Sequence, residues 1–188
     1  MTHLSELDLA LWLRAIRTQP SQGGSSLLEW MTGPLKKFFP FERCLLIHGE
    51  LTAGQIKMTD WLSCQHEQRY LLQLKETFEL SQRGSLAWWL SNQRPFGIDP
   101  AAPPPFATEF EVNELRSFGL GRIAVHGVVN VKANAGTYFS FAGIPNELSP
   151  WHMDALRLIA PVLNDLFLSH ARSQRIPPLK ILRELSPR

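Results

Sequence analysis

Apolar residues recur along this chain with two spacings, and the change from one to the other divides the chain into predicted helices and strands. A spacing of three or four residues is typical of a helix that buries one face, whereas alternation is typical of a half-buried strand. Helices are predicted over residues 5–19, 25–38, 67–80, 86–90, 109–118 and 149–173. Strands are predicted over residues 41–49, 55–64, 122–132 and 137–142.

The predicted strands form two hairpins, with helices before, between and after them. This order fits one antiparallel sheet that is covered by helices on both faces. Five prolines in residues 95–105 exclude a helix or a central strand there, so this segment is predicted to be an irregular loop. The expected fold class is therefore α+β, an α-β-α sandwich around a central antiparallel sheet.

The first predicted helix carries two apolar stripes, although a helix on the surface of a monomer needs only one. One stripe contains Leu9, Trp12, Leu13 and Ile16. The other contains Leu4, Leu7, Leu11 and Ala15. The second stripe is a candidate interface of a homodimer. Burial of this helix on most sides within its own domain would explain the two stripes equally well.

Length and composition fit one globular domain that needs neither metal nor disulfide to fold. Of the 188 residues, 44% are hydrophobic and 19% are charged, which excludes wholesale disorder, collagen and coiled-coil proteins. Two cysteines, Cys44 and Cys64, are too few for a secreted disulfide scaffold and are expected as reduced thiols. There is no recognisable targeting segment and no apolar run of about 20 residues, so we expect a cytoplasmic protein without a membrane partner.

The charge is unevenly distributed between the body of the chain and its last residues. Residues 1–171 contain 14 basic and 16 acidic residues, whereas residues 172–188 contain five basic residues and one acidic residue. A body with a net charge of −2 does not have the basic surface that nucleic-acid binding requires. The tail with a net charge of +4 is typical of a solvated linker.

A search for catalytic and metal-binding motifs finds none. The sequence contains no Cys-x-x-Cys pair, no His-Glu-x-x-His motif and no phosphate-binding glycine loop. Cys64 and His66 are close in sequence, but a cysteine at a strand end is most often a small buried apolar residue. The expected protein is therefore not an enzyme and has neither a cofactor nor a metal site.

Aromatic and polar residues in the middle of the chain suggest a ligand pocket. The candidate ligand-binding residues are Trp61, Tyr70, Trp88, Trp89, His126 and Asn130. We expect the pocket on the sheet face that carries His126, closed by the helix with Trp88 and Trp89, because that face combines hydrogen-bonding groups with apolar walls. The other face of the same strand is apolar and is expected to pack against the terminal helices. Alternatively, His126 is a hydrogen-bonded core histidine and the tryptophans only pack.

Four segments resemble the N-terminal sensor domain of LuxR-type transcription regulators. They are Arg-Ile-Ala-Val-His-Gly-Val-Val at 122–129, Tyr-Phe-Ser-Phe-Ala-Gly at 138–143, Leu-Ile-Ala-Pro-Val-Leu at 158–163 and Leu-Ser-Pro-Arg at 185–188. The last is similar to the start of the LuxR-type helix-turn-helix. The resemblance is greatest to the branch called EpsA, which is associated with exopolysaccharide and exosortase genes. The chain does not have the Trp-x-x-x-Tyr…Asp-Pro spacing of acyl-homoserine-lactone sensors, so no lactone contact is transferred.

The resemblance implies a GAF/PAS-like sensor and dimerisation domain over residues 1–173. Residues 174–188 would then be a basic linker that ends where a helix-turn-helix domain begins, so the chain would be a shortened or stand-alone sensor. A small-molecule ligand would shift the geometry of a homodimer, and DNA would be contacted only through the helix-turn-helix. Two other functions remain open, a ligand-free dimerisation module and, less in keeping with the motif search, a small enzyme on the same fold.

Overall fold

The computed structural model describes residues 2–20, 24–52, 55–76 and 80–175, and shows an antiparallel sheet with helices on both faces. The strands are β1 (Arg43–Thr52), β2 (Gln55–Cys64), β3 (Phe96–Ile98), β4 (Ile123–Asn130) and β5 (Ala135–Ala142). The helices are α1 (Glu6–Arg17), α2 (Gly24–Trp30), α3 (Lys36–Phe38), α4 (Gln68–Glu76), α5 (Gly84–Asn92), α6 (Glu109–Ser117) and α7 (Pro150–Arg175). A π-helical turn, Met31–Leu35, joins α2 to α3. The predicted α+β sandwich is confirmed.

The five strands lie in the order β2-β1-β5-β4-β3, so the two predicted hairpins meet through β1 and β5. β3 lies within the segment that was predicted to be an irregular loop, and that prediction is wrong for three residues. Phe96–Ile98 stands between Pro95 and Pro100 and pairs with the first three residues of β4. The prolines flank this strand, so its own backbone N–H groups remain available for the sheet.

One face of the sheet is covered by α1, α2, α3 and α7, and we call it the terminal-helix face. Its core combines aromatic and aliphatic side chains from the sheet and from all four helices. Phe39 meets Phe141 of β5 edge-on, with 5.2 Å between the ring centroids. From the sheet it buries Cys44, Leu46, Cys64, Ala124, Phe139 and Phe141.

The other face is covered by α4, α5 and α6, and we call it the middle-helix face. It has a separate apolar core, to which the alternate residues of the same strands contribute. The sheet residues of this core include Leu45, Ile47, Ile123, Val125 and Ala142. Helices and loops supply Tyr70, Leu74, Leu86, Trp89, Leu115, Phe118 and Leu120. Within the described residues there are therefore two apolar cores, one on each face of the sheet.

The stripe of α1 predicted as a dimer interface is largely used within the chain. Ala15 is 2% exposed, and its carbonyl oxygen accepts a 2.8 Å hydrogen bond from the indole of Trp30. Leu4 and Leu11 are partly buried against the terminal-helix core. Among the four residues of that stripe, Leu7 remains well exposed, at 70%. Both stripes are partly buried because α1 contacts two neighbours: Trp12 of one stripe packs on Phe38 of α3, and Ala15 of the other is hydrogen-bonded to Trp30 of α2.

Two further expectations concern the tail and the membrane. The predicted basic linker, 174–188, lies almost wholly outside the described residues, and its role stays a prediction. Across the described ranges, no helix is both long and apolar enough to cross a membrane.

Candidate functional site

A cavity of about 240 Å³ lies between α5 and the sheet on the middle-helix face, near the β4–β5 turn. Its walls are mainly apolar, and we call it the apolar cavity. The residues that define it include Ile47, Leu86, Trp89, Leu90, Val129 and Tyr138. Trp89 meets the ring of Tyr138 edge-on, with 5.4 Å between centroids. Such a site binds by excluding water from apolar surface, with a few polar groups at its rim.

Backbone geometry at two places positions the walls of this cavity. α5 ends at Asn92, because the next residue, Gln93, has a φ of 50° that does not continue the helix. Trp89 and Leu90, which line the cavity, therefore lie in its last turn. At the opposite wall, the side chain of Asn130 accepts a hydrogen bond from the backbone N–H of Ala133 and ends β4 there. The N–H of Leu51 donates to the Asn134 carbonyl at 2.7 Å, which ties β1 to the β4–β5 turn.

Gly127 allows α5 to approach the sheet beside this cavity. A Cβ atom at this position would lie 2.8 Å from the indole of Trp89 and 2.0 Å from the carbonyl oxygen of Thr137. Neither contact is sterically acceptable, so only glycine leaves room for the tryptophan ring at this point of β4.

A group of buried polar side chains adjoins the apolar cavity, and we call it the polar cluster. It consists of Arg83, Ser85, Glu111 and Glu114, with Tyr70 and Tyr138 beside them. The Arg83 guanidinium donates two hydrogen bonds of 2.9 Å to the Glu114 carboxylate, and both residues are less than 10% exposed. The backbone N–H and the hydroxyl of Ser85 donate to Glu111. The space left among these groups is about 40 Å³, which suits a water molecule rather than a larger ligand.

The surroundings of the polar cluster shift the pKa values of Tyr70, Tyr138 and Arg83. Burial, together with the negative charge of Glu114, raises the pKa of Tyr70, and burial with Glu111 does the same for Tyr138. Both phenols therefore stay neutral. Burial disfavours the charge of Arg83, but its hydrogen bonds and charge interaction with Glu114 outweigh this and raise its pKa. The cluster thus holds the Arg83–Glu114 ion pair beside two neutral tyrosines.

His126 lies outside the apolar cavity, and the predicted arrangement of the two faces of β4 is wrong. Val125 and Val129 pack towards α4–α6, whereas Ala124 belongs to the terminal-helix core. Alternation separated the two faces correctly but did not say which helices cover each of them. The small side chain of Ala124 faces α7, whose buried residues Ala155 and Ala160 belong to the same core, so helix and strand can approach closely.

His126 nevertheless contacts Trp89, because the short β3 pairs with β4 only as far as Val125. The indole N–H of Trp89 donates to Nδ1 of His126 at 3.3 Å, at the uncovered edge of the strand. Burial, followed by the positive charge of Arg157 on α7, lowers the pKa of His126 to about 4. His126 is therefore a neutral acceptor and does not line the cavity.

The structure brings two of the six predicted ligand residues to the apolar cavity, Trp89 and Asn130. Trp88 stacks on Phe106 with 4.5 Å between centroids, and Tyr70 belongs to the polar cluster. Trp61 is half exposed on the edge strand β2. The ligand role of all six residues stays a prediction.

Sequence reasoning missed the other walls of the cavity and the ion pair. Ile47 and Tyr138 lie in recognisable strands, but only the pairing of β1 with β5 brings them opposite each other. Glu111 and Glu114 are three residues apart on the apolar side of α6, beside Val112 and Leu115. Acidic residues on the inner side of a helix could have signalled a buried cationic partner.

No protein-family profile matches the sequence, and no curated protein sequence is similar to it. Solved structures do share the fold. One is the N-acylhomoserine-lactone-dependent LuxR family transcription factor CepR2 of Burkholderia cenocepacia, with a TM-score of 0.64 and 12% identity over 89% of this chain and 98% of that chain. Another is SdiA in complex with octanoyl-rac-glycerol, with a TM-score of 0.65 and 12% identity over 92% of this chain and 69% of that chain.

GAF domains share the fold as well. The GAF domain/HD domain protein of Geobacter sulfurreducens matches with a TM-score of 0.55 and 12% identity, over 84% of this chain and 98% of that chain. At this level of identity the likeness establishes the fold and nothing finer. The fold is therefore GAF-like, of the kind found in the regulators CepR2 and SdiA.

Proposed function

We propose that this chain is a small-molecule sensor domain of a LuxR-type transcription regulator, and that the apolar cavity takes the apolar part of its ligand. The observation that carries the proposal is a cavity of about 240 Å³ against Trp89, on a fold shared with ligand-dependent regulators. SdiA has been solved with octanoyl-rac-glycerol, which shows that this fold can hold a molecule with a medium-length acyl chain. These neighbours are regulators rather than enzymes.

The finer assignment rests on the sequence resemblance. The segments at 122–129, 138–143, 158–163 and 185–188 support a place near the EpsA branch, and hence control of exopolysaccharide genes. In this proposal the basic residues 174–188 connect α7 to a helix-turn-helix that contacts DNA. The ligand would change the geometry of a homodimer, and the linker would transmit this change.

Binding at the cavity can be tested with medium-chain acyl compounds, starting with octanoyl-glycerol, in titrations followed by calorimetry and tryptophan fluorescence. Leu90→Trp fills the cavity, so we expect its affinity to fall at least about tenfold, which corresponds to about 1.4 kcal/mol. Leu72→Trp is the matched control, because Leu72 is 55% exposed on α4 and does not line the cavity. Equal binding by all three proteins, or no binding across the series, would contradict a ligand site here.

A homodimer interface on α1 is part of the proposal, with different residues from the stripe predicted by sequence. Leu9 and Leu13, four residues apart on the other stripe of α1, are 40% and 54% exposed, and an apolar surface of this kind on a helix fits contact with a second copy. We expect light scattering to show a dimer at tens of micromolar, and the double variant Leu9→Asp, Leu13→Asp to be a monomer with unchanged circular dichroism. A wild-type monomer would contradict the interface.

A ligand-free dimerisation module is the second candidate. The polar cluster favours it, since Arg83, Glu114 and two tyrosines already occupy the space beneath the centre of the sheet. In that case Leu90→Trp would raise the melting temperature by filling an unused cavity, and no acyl compound would raise that of the wild type. A ligand sensor gives the opposite result for the wild type, because a ligand that binds only the folded state stabilises it.

A further inference from the structure

Cys44 and Cys64, the two cysteines of the chain, lie directly opposite each other on neighbouring strands. Cys44 is near the start of β1, and Cys64 is the last residue of β2. Both thiols are free, and both side chains belong to the terminal-helix core. The sensor function described above does not use this pair.

Their register allows a covalent bond between them without movement of the strands. Directly opposed residues of antiparallel strands have Cα atoms about 4.5–5.5 Å apart and side chains on the same face. Disulfides form between cysteines whose Cα atoms are about 4.4–6.8 Å apart. The antiparallel pairing of Cys44 with Cys64 therefore gives a Cα separation that a disulfide can span, with both side chains on the same face of the sheet.

The two thiols differ in a way that suits stepwise oxidation. A hydrogen bond from Cys44, helped by the positive charge of Lys36, lowers the pKa of Cys64 to about 7, so a large share of it is thiolate near neutral pH. Burial raises the pKa of Cys44, which therefore stays a thiol. Cys64 is also slightly exposed, at 6%, whereas Cys44 is fully buried.

We propose that Cys44 and Cys64 form a reversible dithiol–disulfide site that hydroperoxides oxidise. The Cys64 thiolate attacks the terminal peroxide oxygen, the O–O bond breaks, and Cys64 becomes a sulfenic acid. The alkoxide or hydroxide that leaves takes a proton from solvent and departs as an alcohol or water. The Cys44 sulfur then attacks the Cys64 sulfur, the S–O bond breaks, and the thiol proton leaves with hydroxide as water. Two thiols are thereby oxidised to one disulfide, and one hydroperoxide is reduced.

The test treats the folded, full-length chain with hydrogen peroxide and follows the products by intact mass and by peptide mapping. We expect the loss of two hydrogen atoms, a bond between the Cys44 and Cys64 peptides, and full recovery of both thiols with dithiothreitol. The product should remain a single chain in non-reducing gels. A disulfide between two chains, or two thiols that persist until the protein is unfolded, would overturn the proposal.

Single serine variants separate the two roles and provide matched controls. In Cys44→Ser the sulfenic acid of Cys64 has no partner, so dimedone should trap it, whereas the wild type should give little adduct. In Cys64→Ser, oxidation of Cys44 should be at least tenfold slower. Circular dichroism checks that both variants are folded. Equal peroxide reactivity of the two variants, or a dimedone adduct of the wild type as abundant as that of Cys44→Ser, would contradict this division of roles.

Discussion

On the terminal-helix face, the sheet meets its helices through phenylalanines and aliphatic side chains, whereas on the middle-helix face it buries an arginine, two glutamates and two tyrosines. The apolar cavity lies on the second face as well. An apolar core tolerates few voids, and a buried ion pair stabilises less than well-packed apolar residues of the same volume. The difference indicates that the first face is packed for stability, whereas the second face keeps a cavity and buried polar groups.

The largest expected effect comes from breaking the ion pair of the polar cluster. Glu114→Leu leaves the buried guanidinium of Arg83 without its carboxylate, so we expect a loss of about 3–5 kcal/mol in the free energy of unfolding, measured with urea. The double variant Arg83→Met, Glu114→Leu should recover most of this loss. A loss below about 1 kcal/mol in the single variant would show that the polarity of this face carries little energetic cost.

The same truncation on the two faces should have different costs. Leu163 of α7 is fully buried on the terminal-helix face, and Leu163→Ala should destabilise the protein by about 2–5 kcal/mol. Leu90 is half-buried at the apolar cavity, so Leu90→Ala should cost roughly 1 kcal/mol. Urea unfolding of both variants measures the difference. Equal losses would remove the distinction between a packed face and an open one.

The close approach of α5 to β4 at Gly127 predicts a loss of stability of intermediate size when this glycine is replaced. Gly127→Ala places a methyl group against the indole of Trp89, and we expect a loss of about 1–3 kcal/mol in thermal or urea unfolding. Gly33→Ala is the matched control, because a Cβ there meets no atom within 4 Å. Equal stability of the two alanine variants would show that both Trp89 and the Thr137 carbonyl can move away from the added methyl group at little cost.

The smallest expected effect is a pH-dependent loss in the free energy of unfolding that comes from two histidines. Burial, followed in each case by a nearby arginine, lowers the pKa of His66 and of His126 to about 4 from the ordinary 6.5. Below pH 6.5 the unfolded chain binds protons that the folded chain does not, so stability falls as the pH decreases from 6.5 towards 4. We expect about 1 kcal/mol per histidine at pH 5, after allowance for partial exposure.

Urea unfolding at pH 7 and pH 5 measures this loss. The double variant His66→Asn, His126→Asn should lose less stability between the two pH values than the wild type. An identical loss in both proteins would assign the pH dependence to other groups.

The sequence predicts local structure well where one physical signal dominates. Alternation located β4, and Ser5, with Asp8 three residues later, forms the capping box at which α1 begins. The sequence pattern does not assign the faces of the sheet, because the alternation in β4 would be the same whichever helices covered each face. It also missed the Arg83–Glu114 pair, because the two residues are 31 positions apart and only the packing of α5 and α6 brings them together.

The shortness of β3 lets one histidine of β4 interact with residues from both faces of the sheet. Because the sheet edge is open beyond Val125, the indole of Trp89 on one side reaches His126, and the charge of Arg157 on the other side acts on that same ring. His126 therefore interacts with a residue of the cavity wall through a hydrogen bond and with α7 through the charge of Arg157. Displacement of Trp89 by a bound molecule would remove a hydrogen bond from that imidazole and change its proton affinity. Because the pKa of His126 is about 4, the ring stays uncharged near neutral pH, so occupancy of the cavity would reach the α7 side of the sheet as a change in hydrogen bonding and not in charge.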